Sequence, residues 1–148
     1  MTGIAYLWAP FDALSGRDVH DLLALRSEIF VVEQQCIYQD VDGNDLLGTH
    51  LSGRRDGVLV AYLRVLPAGT RFARTSIGRV VVHQSERGTG LGRALMNEAL
   101  ARIEADGPVP LKLSAQAHLQ AFYESVGFTA TDERYDEDGI PHVAMIRG

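Results

Sequence analysis

A single cysteine, Cys36, stands in 148 residues, so no disulfide can form within the chain, as suits a reducing cytoplasm. No apolar run reaches membrane-spanning length, and the amino end, MTGIAYLWAP, carries neither a basic region nor a long apolar core. The expected location is therefore the cytoplasm, without a membrane partner. Positive charge is also in deficit: 14 Lys and Arg stand against 19 Asp and Glu, for a net charge of −5. A broad nucleic-acid surface needs the opposite balance. His20, His83 and His118 are scattered without metal-ligand spacing to one another or to Cys36, so no metal site is expected. With no repeat, linker or low-complexity stretch, residues 1–148 read as one domain, long enough to bury a core unaided.

What is present centres on SIGRVVVHQSERGTGLGR, residues 76–93. Val80, Val81 and Val82 form a β-branched run that reads as the end of a strand. A loop with glycine at 88, 90 and 92 follows, and a helix opens at Leu91 with Leu95, Met96, Ala99, Leu100 and Ile103 on one face. A strand feeding a glycine-rich turn and then a helix gathers unpaired backbone N–H groups, which attract phosphate. The dinucleotide fingerprint is excluded because Gly92 follows Gly90 by two residues instead of three, and no Gly-Lys-Ser/Thr triplet occurs. Arg79, Arg87 and Arg93 crowd this loop in an otherwise acidic chain, which fits a small polyanion better than a polymer.

Elsewhere the pattern is mixed α/β. Residues 4–8 read as a first strand. Ser15 and Asp18 resemble a capping box for a helix whose Val19, Leu22, Leu23, Ile29 and Phe30 share a face. Arg26 lies on that face too; it either snorkels to solvent, which is the expectation, or pairs with a buried acid. The stretch DVDGND, residues 40–45, is no calcium loop, since its glycine comes two places too early and Leu51 stands where a carboxylate belongs. It reads as a solvated turn or, alternatively, as a place where Asp40, Asp42 or Asp45 draws a cationic amine to a substrate mouth. Residues 49–55 and 58–66 form a hairpin around Asp56-Gly57. A strand over 110–115, a helix from about Ala117 to Gly127, and strands over 128–135 and 141–147 around Asp138-Gly139 complete the chain.

Two stretches carry a family resemblance. Arg87-Gly88-Thr89-Gly90-Leu91-Gly92 resembles the pyrophosphate loop of the GNAT superfamily of N-acetyltransferases, and Ser114 to Phe128, SAQAHLQAFYESVGF, resembles the closing motif of that superfamily. FVVEQ (30–34), AQAHL (115–119) and EDGIPH (137–142) look like its ElaA-like branch. The resemblance implies a mostly antiparallel central sheet, splayed at a cofactor cleft and flanked by helices. It implies acetyl-coenzyme A as co-substrate, with backbone N–H groups from Arg87 to Arg93 (Gly88, Thr89, Gly90, Leu91 and Gly92 between them) on the pyrophosphate. The backbone of Val80, Val81 and Val82 would meet the pantetheine arm. Gln116 stands where the superfamily usually has Asn.

For the chemistry, the resemblance implies direct attack of a primary amine on the thioester in a ternary complex, with Tyr123 protonating the departing thiolate. An amine of pKa about 10.4 is almost wholly charged at neutral pH, so a base is needed. Glu33, His50 and His142 are the candidates that the resemblance brings near the acceptor. Glu33 is first among them, because a carboxylate after Phe30-Val31-Val32 is expected to be desolvated with a raised pKa. Cys36 is expected to be a packed thiol. A non-catalytic coenzyme A-binding module is the alternative function. Enzymes of this kind often pair, so a homodimer is open.

Overall fold

The structure, a computed structural model, describes residues 3–148. Seven strands, β1 (Ala5–Pro10), β2 (Thr49–Arg55), β3 (Val58–Leu66), β4 (Thr75–Val82), β5 (Leu111–Gln116), β6 (Thr129–Glu137) and β7 (Ile140–Arg147), form one sheet in the order β1-β2-β3-β4-β5-β7-β6. Every neighbouring pair is antiparallel except β4 with β5. The helices are α1 (Gly16–Arg26), α2 (Leu91–Ile103) and α3 (Gln120–Glu124). Both hairpins follow from their turns: Asp56-Gly57 and Asp138-Gly139 adopt positive φ at both residues, the conformation that matches strand twist and that Asp-Gly tolerates.

Residues of β3 alternate between the two faces, with the alternation reset by a bulge at Val60, and this divides the core. Leu59 and Tyr62 pack with Leu22, Leu25 and Ile29 of the α1 side, while Leu63 and Val65 join Leu95, Met96 and Ala99 of α2. Ser15 and Asp18 make the full reciprocal capping box that starts α1. That helix does not run on unchanged to Phe30: from Ser27 to Glu33 it widens into π turns, keeping Ile29 in the core. The closing helix likewise starts later than its apolar spacing suggests, after a 3-10 turn over Ala117–Leu119. Among the described residues no helix is long and apolar enough to cross a membrane.

Two irregularities in β4 open the sheet. First, β4 and β5 pair only at Thr75 with Leu111 and Ser76 with Lys112, and beyond that point the strands diverge. Second, Tyr62 lies opposite Val81 and Arg64 opposite Gly78, so Arg79 and Val80 together face Leu63 in a bulge. Arg79 sits in the left-handed region with φ +52, a conformation that costs a side-chain-bearing residue of order 1–3 kcal/mol and persists only when its surroundings fix it.

The fixing groups are three arginines and three aspartates. Arg26 is fully buried rather than snorkelling, the opposite of the sequence expectation: its Nε lies 2.8 Å from Asp40 Oδ2 and its Nη1 2.7 Å from Asp45 Oδ1. Arg64 of β3 reaches Asp42 Oδ1 at 2.7 Å and Asp45 Oδ1 at 3.0 Å. Arg79 reaches Asp40 Oδ1 at 2.9 Å and Asp42 Oδ2 at 3.3 Å, with its guanidinium over the Tyr38 ring. The DVDGND stretch is therefore neither a solvated turn nor an amine trap, because arginines already hold its carboxylates and Asp40 and Asp45 are buried. Arg79 turns toward this cluster instead of crowding the glycine loop.

His50 belongs to the same buried region. It is fully buried, its Nε2 lies 2.9 Å from the Asp45 carbonyl and its Nδ1 2.6 Å from the Tyr62 hydroxyl. A carbonyl only accepts, so Nε2 carries the proton and Nδ1 accepts from Tyr62. Burial pushes the His50 pKa down.

Two stability measurements follow. Arg26→Met leaves a buried carboxylate uncompensated and is expected to lose about 3 kcal/mol in urea unfolding; Arg102→Met, which breaks the exposed Arg102–Glu98 pair, is expected to stay within about 0.5 kcal/mol. Equal losses would contradict the buried cluster. Because the His50 pKa is depressed on folding, its contribution is complete above the unfolded value of about 6.5 and is lost as pH falls below it toward the folded value. His50→Gln should flatten that part of the stability–pH curve, and an unchanged slope would exclude His50 as its source.

Candidate active site

The glycine loop ends at the N-terminus of α2. Gly88 and Gly90 have φ of +79 and +83, which glycine adopts at little cost and other residues do not. Gly90 is the helix N-cap and supplies no side-chain cap. No acceptor within the described residues meets the N–H groups of Gly88, Thr89 or Gly90, and those of Leu91, Gly92 and Arg93 are the free donors of a first helical turn. Six backbone donors thus follow one another at the head of α2 without a side-chain cap, an arrangement suited to an anion. Arg93 only grazes the Ser125 carbonyl at 3.4 Å.

Arg87 is engaged. Its guanidinium meets Glu33 at 2.8 and 3.0 Å, and Gln84 Nε2 donates to the same carboxylate at 2.6 Å. The hydrogen bond from Arg87 holds the Glu33 carboxyl below the usual carboxylate range. This corrects the expected raised pKa: the arginine outweighs the desolvation that the preceding apolar run suggested.

Where β4 and β5 separate lies a cleft of about 120 Å³. Ile77, Gly78, Arg79 and Val80 line one wall, and Leu113, Ser114 and Gln116 the other. Phe30, Gln34, Cys36 and Tyr38 border it from the segment after α1, and Tyr123 borders it from α3. Glu33 and His50 are not among its lining residues. The edge of β4 facing β5 is unpaired past Ser76, while its other edge stays bonded to β3.

Tyr123 is 7% exposed, set edge-on between Phe122 and Phe128 at 5.1 and 6.3 Å. Burial pushes its pKa up to about 12, so the hydroxyl keeps its proton at neutral pH. Gln116 Nε2 donates to Gln34 Oε1 at 3.4 Å, joining β5 to the end of the π turns. Cys36 is a packed thiol whose Sγ lies 3.6 Å from the Gln34 carbonyl and 3.7 Å from that of Asp138.

His142 differs from the other two candidates for a base. It is 9% exposed, and its Nδ1 lies 2.7 Å from the Ile140 carbonyl. Nδ1 must therefore donate, which leaves the Nε2 lone pair free in the neutral ring. Nε2 lies 3.6 Å from Glu137 Oε2, and the ring stacks on Tyr135, whose hydroxyl donates to Ser114 Oγ at 2.6 Å. Glu137 also pairs with Arg71 at 2.8 Å, and both line the cleft. Sequence reasoning passed over Glu137 and Arg71. A two-residue turn at Asp138-Gly139 was signal enough to bring Glu137 beside Ile140 and His142, whereas nothing local linked Arg71 to a strand 66 residues away.

Residues 27–147 match the family model described as an acetyltransferase (GNAT) domain. Protein ElaA of Escherichia coli is 46% identical over 137 residues, covering 90% of either chain. A UPF0039 protein of Synechocystis is 43% identical over 145 residues, 97% of this chain and 94% of the relative. The crystal structure of an acyl-CoA N-acyltransferase from Pseudomonas aeruginosa superposes with a TM-score of 0.93 at 46% identity, covering 99% of this chain and 100% of the other. Splayed sheet, glycine loop and sequence likeness over nearly the whole length agree, and the chain belongs to the GNAT acetyltransferase family, in its ElaA-like branch.

Proposed function

We propose that residues 1–148 act as one cytoplasmic acyltransferase domain that moves an acetyl group from acetyl-coenzyme A to a primary amine within a ternary complex. The observation that carries this is the meeting of three features at one opening: a bare strand edge, a protonated Tyr123 and an imidazole with a free lone pair. The similar Pseudomonas protein is described as an acyl-CoA N-acyltransferase, which supports the same class of donor here.

The pyrophosphate would rest on the N–H groups from Gly88 to Arg93, with Arg87 exchanging Glu33 for phosphate oxygens. The free edge at Val80 to Val82 would pair with the pantetheine amides, and Gln116 would border the arm from β5. His142 Nε2 takes the proton of the acceptor ammonium, and the neutral amine attacks the thioester carbon. A backbone N–H of β4 near the bulge supports the oxyanion. Collapse breaks the C–S bond and expels the thiolate.

Tyr123 then acts more as a hydrogen-bond donor than as a strong acid. Its pKa of about 12 lies well above the thiol value of about 8.5, so full transfer from tyrosine to sulfur is uphill and its contribution is modest. Glu33, already drawn to Arg87 and below the normal carboxylate range, serves the cofactor loop in place of the base role.

Thiol release with an amine panel, alongside calorimetry of acetyl-coenzyme A binding, separates these roles. Tyr123→Phe should lower kcat several-fold with cofactor affinity nearly unchanged. His142→Gln should lower kcat by about 10² or more, as loss of a general base does, while Glu33→Gln keeps kcat and leaves cofactor binding as tight or tighter, since Arg87 then leaves no carboxylate to meet the phosphates. Full activity in His142→Gln would remove the base assignment. Cofactor binding without release on any amine would favour a coenzyme A-binding module that catalyses nothing.

A further inference from the structure

The acceptor end of the cleft carries a matched pair of opposite charges. Arg71 comes from the link between β3 and β4, and Glu137 ends β6; Nη2 of the arginine lies 2.8 Å from Oε1 of the glutamate. Both side chains remain about one-third exposed, 30% and 35%, so a ligand can reach them. The arginine lies against bare backbone: a Cβ built at Gly78 would stand 4.0 Å from Arg71 Nη1. Gly78 immediately precedes the bulge, so the guanidinium overhangs the part of β4 where the thioester is expected.

The other charged groups bordering the cleft are differently placed. Arg79 is committed to Asp40 and Asp42. Asp138 stands at the exposed apex of the β6–β7 turn, where its carbonyl faces Cys36. Among the described residues, Arg71 has Glu137 as its ion-pair partner and Glu137 has no other guanidinium or ammonium beside it. Glu137 also leads to His142, 3.6 Å from Nε2, and receives the Ser114 hydroxyl at 3.4 Å.

We propose that this pair is the acceptor-recognition element and that the acceptor is a small amine bearing a carboxylate, of the amino-acid type. The proposal rests on the acyltransferase function above and names its substrate class. A ligand with ammonium alone would take Glu137 and leave Arg71 without its partner. One with both charges replaces the ion pair in kind: its carboxylate meets Arg71 in a two-pronged contact, and its ammonium meets Glu137. Arg71 and Glu137 border the same cleft, so an acceptor whose two charges lie a few bonds apart can meet both.

The position of the ammonium matters for the reaction. Drawn to Glu137, it lies within reach of the His142 lone pair and opposite the overhung stretch of β4. One ammonium proton passes to Nε2, and the amine nitrogen forms the new C–N bond at the thioester carbon. The nitrogen loses a second proton as the C–S bond breaks and the thiol is regained. The products are the N-acetyl amino acid, free coenzyme A and one proton. The imidazolium formed on His142 is held by the Glu137 carboxylate.

The experiment compares amino acids with the amines that lack their carboxylate, glycine with methylamine, β-alanine with ethylamine and leucine with isoamylamine, in thiol release from acetyl-coenzyme A. The wild-type protein should favour the carboxylated member of a pair by about tenfold or more in kcat/KM, chiefly through KM. Arg71→Gln should bring that preference to within about twofold of unity, and Arg71→Lys should restore part of it. Glu137→Gln should raise KM for both members. A preference unchanged in Arg71→Gln, or a wild-type preference for the simple amines or polyamines, would overturn the substrate class while leaving the acyltransferase function standing. Absence of release with every amine, with acetyl-coenzyme A bound, would overturn both.

Discussion

The site depends on a set of three arginines and three aspartates, of which Arg26, Arg64, Asp40 and Asp45 are buried. Arg26 from α1, Arg64 from β3 and Arg79 from β4 converge on Asp40, Asp42 and Asp45 of one short segment. Such a cluster contributes little net stability, because desolvation of six charges offsets most of their attraction, but losing one member is costly. It is also incompletely satisfied: among the described residues Asp45 Oδ2 and Arg64 Nε have no hydrogen-bond partner, and Arg79 Nε faces Asp40 off the hydrogen-bond line. Its effect is positional. By gripping Arg79 it holds a non-glycine residue at φ +52 and thereby keeps the bulge in β4.

From that bulge the rest follows by geometry. A bulged β4 leaves β5 after two residue pairs, and the opening exposes peptide groups that an ordinary sheet would have consumed. The turn after β4 delivers the chain to Gly88 and Gly90, whose positive φ values gather free amides at the start of α2. The same cluster ties the segment after α1 to the sheet, so that Tyr38 and Cys36 border the cleft opposite β5. The bulge of β4 and the segment that borders the cleft are thus tied to one electrostatic knot.

Local signals were legible in the sequence where physics is local. Asp-Gly turns, the Ser15–Asp18 cap, the apolar face of α2 and the glycine loop each depend on residues a few positions apart, and each appears in the structure. The buried charges were not legible, because Arg26 and Asp45 are 19 residues apart and an arginine on an apolar face usually snorkels. His50 misled for the same reason: what neutralises it, Tyr62 and the Asp45 carbonyl, comes from other elements. Glu33 was read from the apolar residues before it, whereas Arg87, 54 positions away, sets its charge. Tyr123 and His142 were named from the resemblance alone, and their burial and tautomer came only from the fold.

The most direct measurement is amide mapping by NMR during titration of the intact protein with coenzyme A. If the free donors at the head of α2 and the open edge of β4 grip the cofactor, the largest shift changes fall on Gly88 to Arg93 and on Val80 to Val82, while Tyr6 in β1 and Leu22 in α1 stay still. Changes confined to the β1 and α1 side, or none at saturating coenzyme A, would contradict it.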